Sequence, residues 1–239
     1  MNKIRLDKLL VSRGLVKTRS QAEDLIKRRF VSVNETIVTK PGIFLNNNTK
    51  LHIKAHEGFV SRAGEKLNSV VDKFKLDFAD KLVLDVGSST GGFSELALRR
   101  GARKVIAVEL GTNQMHPRLR QDSRIELHEK TDIRDFTTNE HIDIAVIDVS
   151  FVSLREILPA VSRLSKTDSL IVAMVKPQFE AGESDLKHKG IIKNDNMRRG
   201  ILKDFENWCR TNFVIEAKAD SKVAGSKGNI ERFYLLHKK

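Results

Sequence analysis

The chain has 239 residues, 40% of them apolar, which is enough to bury the core of one α/β domain and one small module. It carries 43 Lys and Arg against 31 Asp and Glu, so its net charge of +12 predicts a polyanionic partner, nucleic acid first. The single Cys209 excludes an intramolecular disulfide, and the seven histidines lack zinc-site spacing, so we expect a reduced cytoplasmic protein without a metal. No segment approaches the roughly 18 apolar residues of a membrane span, and we expect neither secretion nor stable membrane association.

Most of the charge lies in the first quarter of the chain. Residues 1–58 hold 12 Lys and Arg against 5 Asp and Glu, which is +7 of the +12. Leucines at helical spacing from Leu6 predict a first helix, and Ser20 with Glu23 predicts a capping box that opens a second. An Asn-Glu turn and the Pro41-Gly42 and Asn46–Asn48 breaks separate three predicted strands: Phe30–Val33, Ile37–Thr39 and Lys50–Lys54.

Basic side chains gather around this helix-turn-helix surface. The group expected to contact RNA phosphates is Arg5, Arg13, Lys17, Arg19, Lys27, Arg28 and Arg29. For Lys27–Arg29 the alternative is a favourable interaction with the dipole at a helix C-terminus. The segments Ile4–Leu10, Arg19–Ala22 and Val31–Asn34 resemble the αL RNA-binding motif. That resemblance implies a small α+β RNA-binding domain over residues 1–58, followed by a linker at 59–64.

From Glu65 onward strands and helices alternate. An amphipathic helix carries Leu67, Val70, Val71 and Phe74. Apolar strands are predicted at Leu82–Val86, Val105–Val108, Ile125–His128, Ile142–Ile147 and Leu170–Val175, with two more at Phe213–Ala217 and Arg232–Leu236. This order predicts a doubly wound, mostly parallel sheet over residues 65–239.

A glycine-rich segment leaves the first strand of this sheet. The expected cofactor-binding residues there are Asp85, Gly87, Ser88, Ser89, Thr90, Gly91, Gly92 and Phe93. Glycines let the backbone approach a ligand, because side chains would fill that space. Glu109 is placed to accept hydrogen bonds from ribose hydroxyls and Asp132 to receive an adenine amino group. Either residue taken alone is better interpreted as a solvated loop acid, and the combination with Asp85 and the glycines favours an adenosine cofactor. S-adenosylmethionine (SAM) and a nicotinamide cofactor both fit this pattern.

Two charged residues end the fourth and fifth strands, at the edge where open α/β sheets bind ligands. Asp148 and Lys176 are both expected to face the cofactor crevice, and the alternative is an ion pair that only closes the sheet edge. The segment Gln178–Gly200, with Glu180, Gly182, Lys187, His188, Lys189 and Arg198-Arg199, predicts an exposed basic loop. That loop is interpreted either as an RNA contact or as a disordered connection.

Five motifs resemble the TlyA family of ribosomal RNA ribose 2′-O-methyltransferases, whose members are also described as haemolysins. They are Ser61–Leu67, Asp85–Phe93, Asp148–Phe151, Val175–Glu180 and Gly228–Glu231. The resemblance implies a Rossmann-like class I methyltransferase domain similar to the RrmJ/FtsJ enzymes, SAM as the cofactor, and ribosomal RNA or ribosomal subunits as the partner. It also implies a catalytic tetrad of Lys66, Asp148, Lys176 and Glu231, in which Lys176 acts as general base or as electrostatic guide.

Two other classes of function stay open from the sequence. One is a non-catalytic RNA-binding protein that keeps the methyltransferase fold as a scaffold. The other is a membrane-lytic protein, as the haemolysin description suggests.

Overall fold

The computed structural model describes residues 3–16, 18–54, 58–181, 191–192, 194–225 and 228–239. The chain divides into two compact units, Met1–Gly58 (unit 1) and Phe59–Lys239 (unit 2). Residues 59–64, expected to form a linker, lie in unit 2 instead. Phe59 and Val60 pack against its core, and a helix begins at Arg62.

Unit 1 is a small α+β domain, as predicted. Its described elements are β1 (Lys3–Arg5), α1 (Leu6–Ser12), α2 (Arg19–Lys27), β2 (Val31–Val33), β3 (Thr36–Ile37), β4 (Phe44–Asn46) and β5 (Leu51–Ile53). Strand β2 pairs antiparallel with β3 and with β5, while β1 pairs antiparallel with β4. The helices bury their apolar faces on these strands in one core: Leu6, Leu10, Val16, Ala22, Ile26 and Val31.

Two local predictions in unit 1 have different outcomes. The Asn-Glu turn is confirmed, because Asn34 and Glu35 join β2 to β3 with φ of 47° and 69°, the two left-handed positions of a type I′ turn. The capping box at Ser20 and Glu23 is wrong. Helix α2 is capped by Thr18, whose Oγ1 accepts a hydrogen bond from the Gln21 amide at 3.2 Å, so Ser20 already lies inside the helix.

Asp7 is the polar centre of unit 1. Its side chain is fully buried and accepts hydrogen bonds from Arg5 Nε and Nη2 at 3.1 and 2.8 Å, from Arg19 Nε at 2.7 Å and from the Lys8 amide at 2.9 Å. The hydrogen bonds from Arg5 are the largest of the causes that hold its pKa far below the usual range. One carboxylate thereby ties β1 and α1 to α2.

Unit 2 contains a seven-stranded sheet with helices on both faces, which confirms the predicted α/β class. Its described elements are α3 (Arg62–Val71), β6 (Leu82–Val86), α4 (Gly92–Arg99), β7 (Lys104–Val108), α5 (Pro117–Arg120), β8 (Ile125–His128), β9 (Ile142–Ile147), α6 (Leu154–Leu164), β10 (Ser165–Val175), α7 (Pro177–Glu180), α8 (Asp195–Asn212), β11 (Phe213–Asp220) and β12 (Arg232–Lys238). The strand order is β11-β12-β10-β9-β6-β7-β8, and β12 runs antiparallel to both of its neighbours.

The sheet of unit 2 separates two apolar layers. Helices α3 and α4 cover one face and α6 and α8 cover the other. Neighbouring residues of β6 point to opposite layers: Val83 belongs to the first and Leu84 to the second, and both are fully buried. Because both faces of the sheet are covered, the sequence of β6 is almost continuously apolar, and this pattern predicts a buried strand.

The order of strands reverses between β6 and β9. Strands β7 and β8 follow on one side of β6, whereas β9 and β10 lie on the other. Val86 of β6 is in register with Ile147 of β9, so Gly87 and Asp148 leave the sheet side by side. In open α/β sheets ligands bind at this reversal, outside the carboxyl ends of the strands.

The predicted basic loop at 178–200 is partly helical. Pro177–Glu180 forms α7, and Asn194 caps α8, which carries Arg198 and Arg199. Gly182, Lys187, His188 and Lys189 lie outside the described residues. In the part of the chain that the structure describes, no helix combines the length and apolarity needed to cross a membrane.

Replacing Asp7 by Asn should destabilise unit 1 by about 1–3 kcal/mol, because charge-assisted hydrogen bonds from Arg5 and Arg19 are lost. The lowered pKa of Asp7 means that its stabilisation is complete above the unfolded pKa near 4 and is lost as pH falls towards the folded value. Hydrogen exchange of α1 and α2 amides in the full chain should therefore show protection that declines in acid, with the decline weaker in Asp7→Asn. Asp24→Asn, at a partly exposed pair, is the matched control with a small effect. Equal protection in both variants would refute the role of Asp7.

Candidate active site

The loop after β6 depends on two left-handed glycines. Gly87 has φ +79° and Gly91 has φ +91°. A Cβ at Gly87 would lie 2.7 Å from the carbonyl oxygen of Asp148, and one at Gly91 would lie 2.4 Å from Leu119 Cδ1. These glycines are required for close approach inside the protein. The sequence analysis expected glycines here because a side chain would occupy the ligand's space. In the structure, a side chain at Gly87 or Gly91 would first collide with the protein itself.

Gly92 lets helices α3 and α4 touch. A Cβ on Gly92 would lie 2.4 Å from Ser61 Oγ and 2.8 Å from the Gly64 amide nitrogen. Helix α3 carries Lys66 one turn further on, so this contact fixes the position of Lys66 relative to the loop. Gly92 thus helps to position one of the four residues of the predicted tetrad.

Glu109 lies at the end of β7, as expected for a ribose-binding acid. Its Oε2 accepts from the Ser89 amide at 2.8 Å and its Oε1 from the Gly111 amide at 2.6 Å. A carboxylate offers about four acceptor positions, so it retains capacity for ribose hydroxyls. These two bonds also fix the carboxylate against the glycine loop.

The carboxylate of Asp132 already accepts hydrogen bonds from Arg134. Arg134 approaches both carboxylate oxygens with its guanidinium, at 2.7–3.1 Å, and also donates its amide to Oδ1 at 2.9 Å. These hydrogen bonds lower the pKa of Asp132. Its role towards adenine stays a prediction, and an adenine amino group would have to share the carboxylate with Arg134.

Asp85 combines complete burial with an unused acceptor. Its Oδ2 accepts from the Ser94 amide and hydroxyl at 2.9 and 2.6 Å, while Oδ1 has no partner among the described residues. Burial, together with the charges of Asp148 and Glu109, raises the pKa of Asp85 to about 7, although the Ser94 hydrogen bonds oppose the shift. The Ser88 hydroxyl, also buried, lacks a described partner too. Unpartnered buried groups at the sheet reversal fit a ligand with polar atoms, as SAM has.

The remaining loop residues divide between structure and site. Ser89 donates its hydroxyl to Gln114 at 3.1 Å, and the Thr90 carbonyl accepts from the His116 amide at 3.2 Å. Phe93 points into the core, where it is buried and its ring lies 6.2 Å from that of Phe233. The Phe93 ring is therefore not exposed for the contact with the cofactor that the sequence predicted.

The four tetrad residues form two ion pairs. Lys176 Nζ lies 2.6 Å from Asp148 Oδ1, and Lys66 Nζ lies 2.9 Å from Glu231 Oε1. Strand register explains the meeting: Val175 of β10 pairs with Arg232 of β12, so Lys176 and Glu231 extend from adjacent strands at one edge. Glu231 Oε2 is buried and has no partner among the described residues.

Lys176 has neighbours that the sequence did not single out. Its ammonium donates to Ser150 Oγ at 2.7 Å and lies 6.0 Å from the centre of the Phe179 ring. The Phe151 ring lies tilted against that of Phe179, with ring centres 5.1 Å apart. Phe151 is nevertheless 90% exposed and has φ +65°. A bulky residue in this conformation is strained, and such strain is concentrated at functional sites. The sequence feature that could have identified Phe151 is its position in the Asp148–Phe151 motif.

Glu180 connects the two loops at this edge. Its Oε2 accepts from the Ser153 hydroxyl at 2.6 Å and its Oε1 from the Leu154 amide at 2.7 Å, at the start of α6. The segment that follows Lys176 is thereby tied to the segment that follows Asp148. Burial raises the pKa of Glu180, and the two hydrogen bonds oppose that shift.

The predicted RNA-binding cations of unit 1 are mostly engaged within the unit. Arg5 and Arg19 bond to Asp7, Arg28 lies 3.3 Å from Asp24, and Lys27 lies 3.9 Å from Glu23. Arg13 donates to the carbonyls of Thr49 and Asn47. Arg29 has no ion-pair partner in the described part of the chain, and Lys17 lies outside it. Arg13 also borders a groove of about 710 Å³ with Ser32, Glu35, Asn48, Thr49, Lys50, Leu51 and His52.

Comparison with known proteins agrees with this geometry. The family model for FtsJ-like methyltransferases matches residues 59–239, and that for the S4 domain matches residues 4–48. The chain belongs to the FtsJ-like methyltransferase family. Its predicted resemblance to TlyA proteins and to an αL-type N-terminal domain is confirmed.

Relatives cover almost the whole chain. YqxC of Bacillus subtilis, provisionally described as an rRNA methyltransferase, is 40% identical over 98% of this chain and 85% of its own. The 16S/23S rRNA (cytidine-2′-O)-methyltransferase TlyA of Mycobacterium tuberculosis is 34% identical over 97% and 89%. A solved structure from Streptococcus thermophilus, provisionally described as a hemolysin, is 35% identical with a TM-score of 0.78 over 100% and 90%.

Gly92→Ala should destabilise unit 2 by about 1–3 kcal/mol, although Ala favours helices, because its Cβ meets the Gly64 backbone. Unfolding followed by the fluorescence of the single Trp208, on α8, measures this. Gly200→Ala is the matched control: a Cβ there meets nothing within 4 Å, so it should gain about 0.5–1 kcal/mol. A gain in both variants would contradict a tight α3–α4 contact.

Proposed function

We propose that this protein transfers a methyl group from SAM to a ribose 2′-hydroxyl of ribosomal RNA. The observation that carries the proposal is the Lys176–Asp148 ion pair at the strand-order reversal, beside the Gly87 turn. This geometry supports a charge-stabilising role for Lys176 and a cofactor-binding role for the loop that begins at Gly87. The names of the M. tuberculosis and B. subtilis relatives support ribosomal RNA as the substrate and hence the cytoplasm as its compartment.

The residues around the glycine loop fit SAM. Glu109 would accept the ribose hydroxyls, and Asp85, with its free Oδ1, would accept from a positively charged group. When bound, SAM supplies an electrophilic sulfonium methyl. The task left to the protein is to align a poorly nucleophilic hydroxyl and to stabilise the negative charge that develops on it.

Lys176 is suited to stabilise that charge. An ammonium has three donor hydrogens. Ser150 Oγ accepts one of them at 2.7 Å, while Asp148 Oδ1 lies 2.6 Å away as the counter-charge, so a donor hydrogen is left for the ribose oxygen. We therefore assign Lys176 the electrostatic role, with Asp148 orienting its ammonium. The alternative role as general base would require a proton to be lost from an ammonium that contacts a carboxylate.

The second pair supports the first from the neighbouring strand. Lys66 is buried and donates to Glu231, whose second oxygen has no partner among the described residues. That oxygen is available to accept a hydrogen bond from substrate. Phe151, exposed beside Asp148, offers an aromatic face on which a splayed RNA base can stack.

Unit 1 is proposed to anchor the enzyme on RNA. It holds +7 of the net charge and an S4 domain match. Phosphate contacts of this kind position a protein and read little sequence. Arg29, without an ion-pair partner in the described chain, is the strongest of the predicted contacts.

Lys176→Ala should lower the rate of methyl transfer about 100- to 1,000-fold while SAM affinity stays within about twofold, because the ammonium acts on charge formed in the transition state. Single-turnover transfer at saturating RNA and calorimetric SAM titration measure the two quantities. Lys218→Ala is the matched control, because Lys218 pairs with Glu206 away from the site, and it should keep its rate. Near-normal turnover in Lys176→Ala would refute the assignment.

Arg29→Ala should reduce the slope of log affinity for ribosomal RNA against log salt by about 1, since one phosphate contact and its released counterions are lost. Arg28→Ala should change the slope less, because Arg28 is paired with Asp24 and lies over the Phe30 ring at 5.0 Å. Fluorescence titration of labelled RNA across a salt series measures both variants. Unchanged slopes would show that α2 does not contact phosphate.

A further inference from the structure

Lys176 and Asp148 are each followed by a short segment with little regular structure of its own. Lys176 precedes α7, a single turn of four residues, and helices this short are not stable without outside contacts. Asp148 precedes an irregular stretch that reaches α6 at Leu154 and includes Phe151 with its left-handed φ of +65°. A residue in that conformation needs support from its surroundings. The geometry of the Lys176–Asp148 pair therefore depends on contacts that hold the two segments together.

Such contacts run along both segments. Beside the ion pair, the Lys176 ammonium donates to Ser150 Oγ at 2.7 Å. One step further, the Phe151 and Phe179 rings lie with their centres 5.1 Å apart. Both of these contacts involve exposed groups, because Phe151 is 90% exposed and the hydrogen bond from Lys176 faces solvent. Neither contact alone is expected to hold the segments rigidly.

Glu180 closes the far end with buried hydrogen bonds. Its side chain is 1% exposed, and its two oxygens accept from the Ser153 hydroxyl at 2.6 Å and from the Leu154 amide at 2.7 Å. Ser153 is also the N-cap of α6, so the carboxylate is attached to the first turn of an eleven-residue helix. Arg155 Nε, 3.9 Å from Oε2, supplies a counter-charge. One side chain thus fixes α7, and the end of β10 before it, on α6.

Stability alone does not account for a carboxylate at this position. Burial raises the pKa of Glu180, so keeping the charged form in the fold costs free energy that the hydrogen bonds from Ser153 and Leu154 only partly offset. Buried charges of this kind generally add little to stability. A costly buried charge that joins the segments after Lys176 and Asp148 instead indicates a role in their relative position.

We propose that Glu180 is a positioning residue for methyl transfer, which holds α7 on α6 and thereby sets the Lys176 ammonium against Asp148. The inference rests on the proposed function of that pair. Both oxygens of Glu180 are engaged by α6, so Glu180 acts through Lys176 and not on the substrate. Because a misplacement of about 1 Å can lower a rate about 100-fold, the effect falls on the rate of transfer and not on binding.

Glu180→Ala in the full-length protein should lower the single-turnover rate of methyl transfer to ribosomal RNA about 10- to 100-fold, while the affinities for RNA and SAM stay within about twofold. Glu180→Gln should recover most of that rate, because its carboxamide oxygen can accept from the Leu154 amide and its NH2 group can donate to Ser153 Oγ. Rates are expressed per SAM-binding site, counted by calorimetry, so that a loss of folded protein does not enter them.

Glu206→Ala is the matched control. Glu206 is another buried glutamate of unit 2 whose two oxygens accept from described donors, but it lies on α8 with Lys218 and Tyr234. Its removal should lower the melting temperature and leave the rate per SAM-binding site unchanged. If Glu180→Ala does not fold, Ser153→Ala removes one of the two hydrogen bonds and should give a smaller loss of about threefold.

A double-mutant cycle tests whether Glu180 acts through Lys176. In a Lys176→Ala background, Glu180→Ala or Ser153→Ala should cause no further loss of rate, because no ammonium remains to be positioned. A merely structural role would give an equal loss with and without Lys176, and that result, or an unchanged rate in the single variant, would overturn the positioning role while leaving the proposed function intact. Failure of the unmodified protein to methylate ribosomal RNA would overturn both.

Discussion

Gly87 and the carbonyl of Asp148 approach so closely that no side chain fits between them. With φ +79°, Gly87 turns the chain away from β6 at the step where Asp148 leaves β9. The loop that fits the cofactor and the acid that holds Lys176 are therefore fixed by the register of two central strands. A methyl transfer requires donor and acceptor to be held in line, and strand register defines such a distance more rigidly than mobile loops would. Glu109 is hydrogen-bonded to the loop that follows Gly87, and Glu180 is hydrogen-bonded to the segment that follows Asp148.

The buried charges distinguish a working site from an inert scaffold. Glu206 shows what a purely structural cluster looks like: Lys218 and Tyr234 donate to it at 2.8–2.9 Å, and both of its oxygens are used. At the site, Glu231 and Asp85 each keep a buried oxygen without a described partner. Unpaired buried groups cost stability, and buried ion pairs add little to it. Their presence at one sheet edge argues against the non-catalytic reading and favours a ligand that completes them.

Much of unit 2 could be predicted because its signals are local or topological. The apolar run Leu82–Val86 identifies a strand covered on both faces, and chain order then sets which strand ends meet. The tetrad came from the motif resemblance, and strand register explains why Lys176 and Glu231 meet. The exact start of a helix and the side-chain contacts outside these motifs were not predictable. Both Thr18 and Ser20 are residue types that cap helices, and the backbone conformation makes Thr18 the cap. Ser61 and Gly92 lie close together because α3 and α4 touch.

The charge of unit 1 illustrates the same limit and bears on selectivity. Arg5 and Arg19 lie far apart in the sequence, but both bond to Asp7, so composition alone overstates the number of free guanidinium groups. Internal pairing does not alter the net charge, and the long-range attraction to RNA persists. Internal pairing does reduce the number of hydrogen bonds that unit 1 can donate to phosphates, because each paired guanidinium has fewer free N–H groups. Unit 1 is thus suited to recruitment. Under the proposed function, the choice of nucleotide then falls to unit 2, where the exposed Phe151 lies beside the Lys176–Asp148 pair.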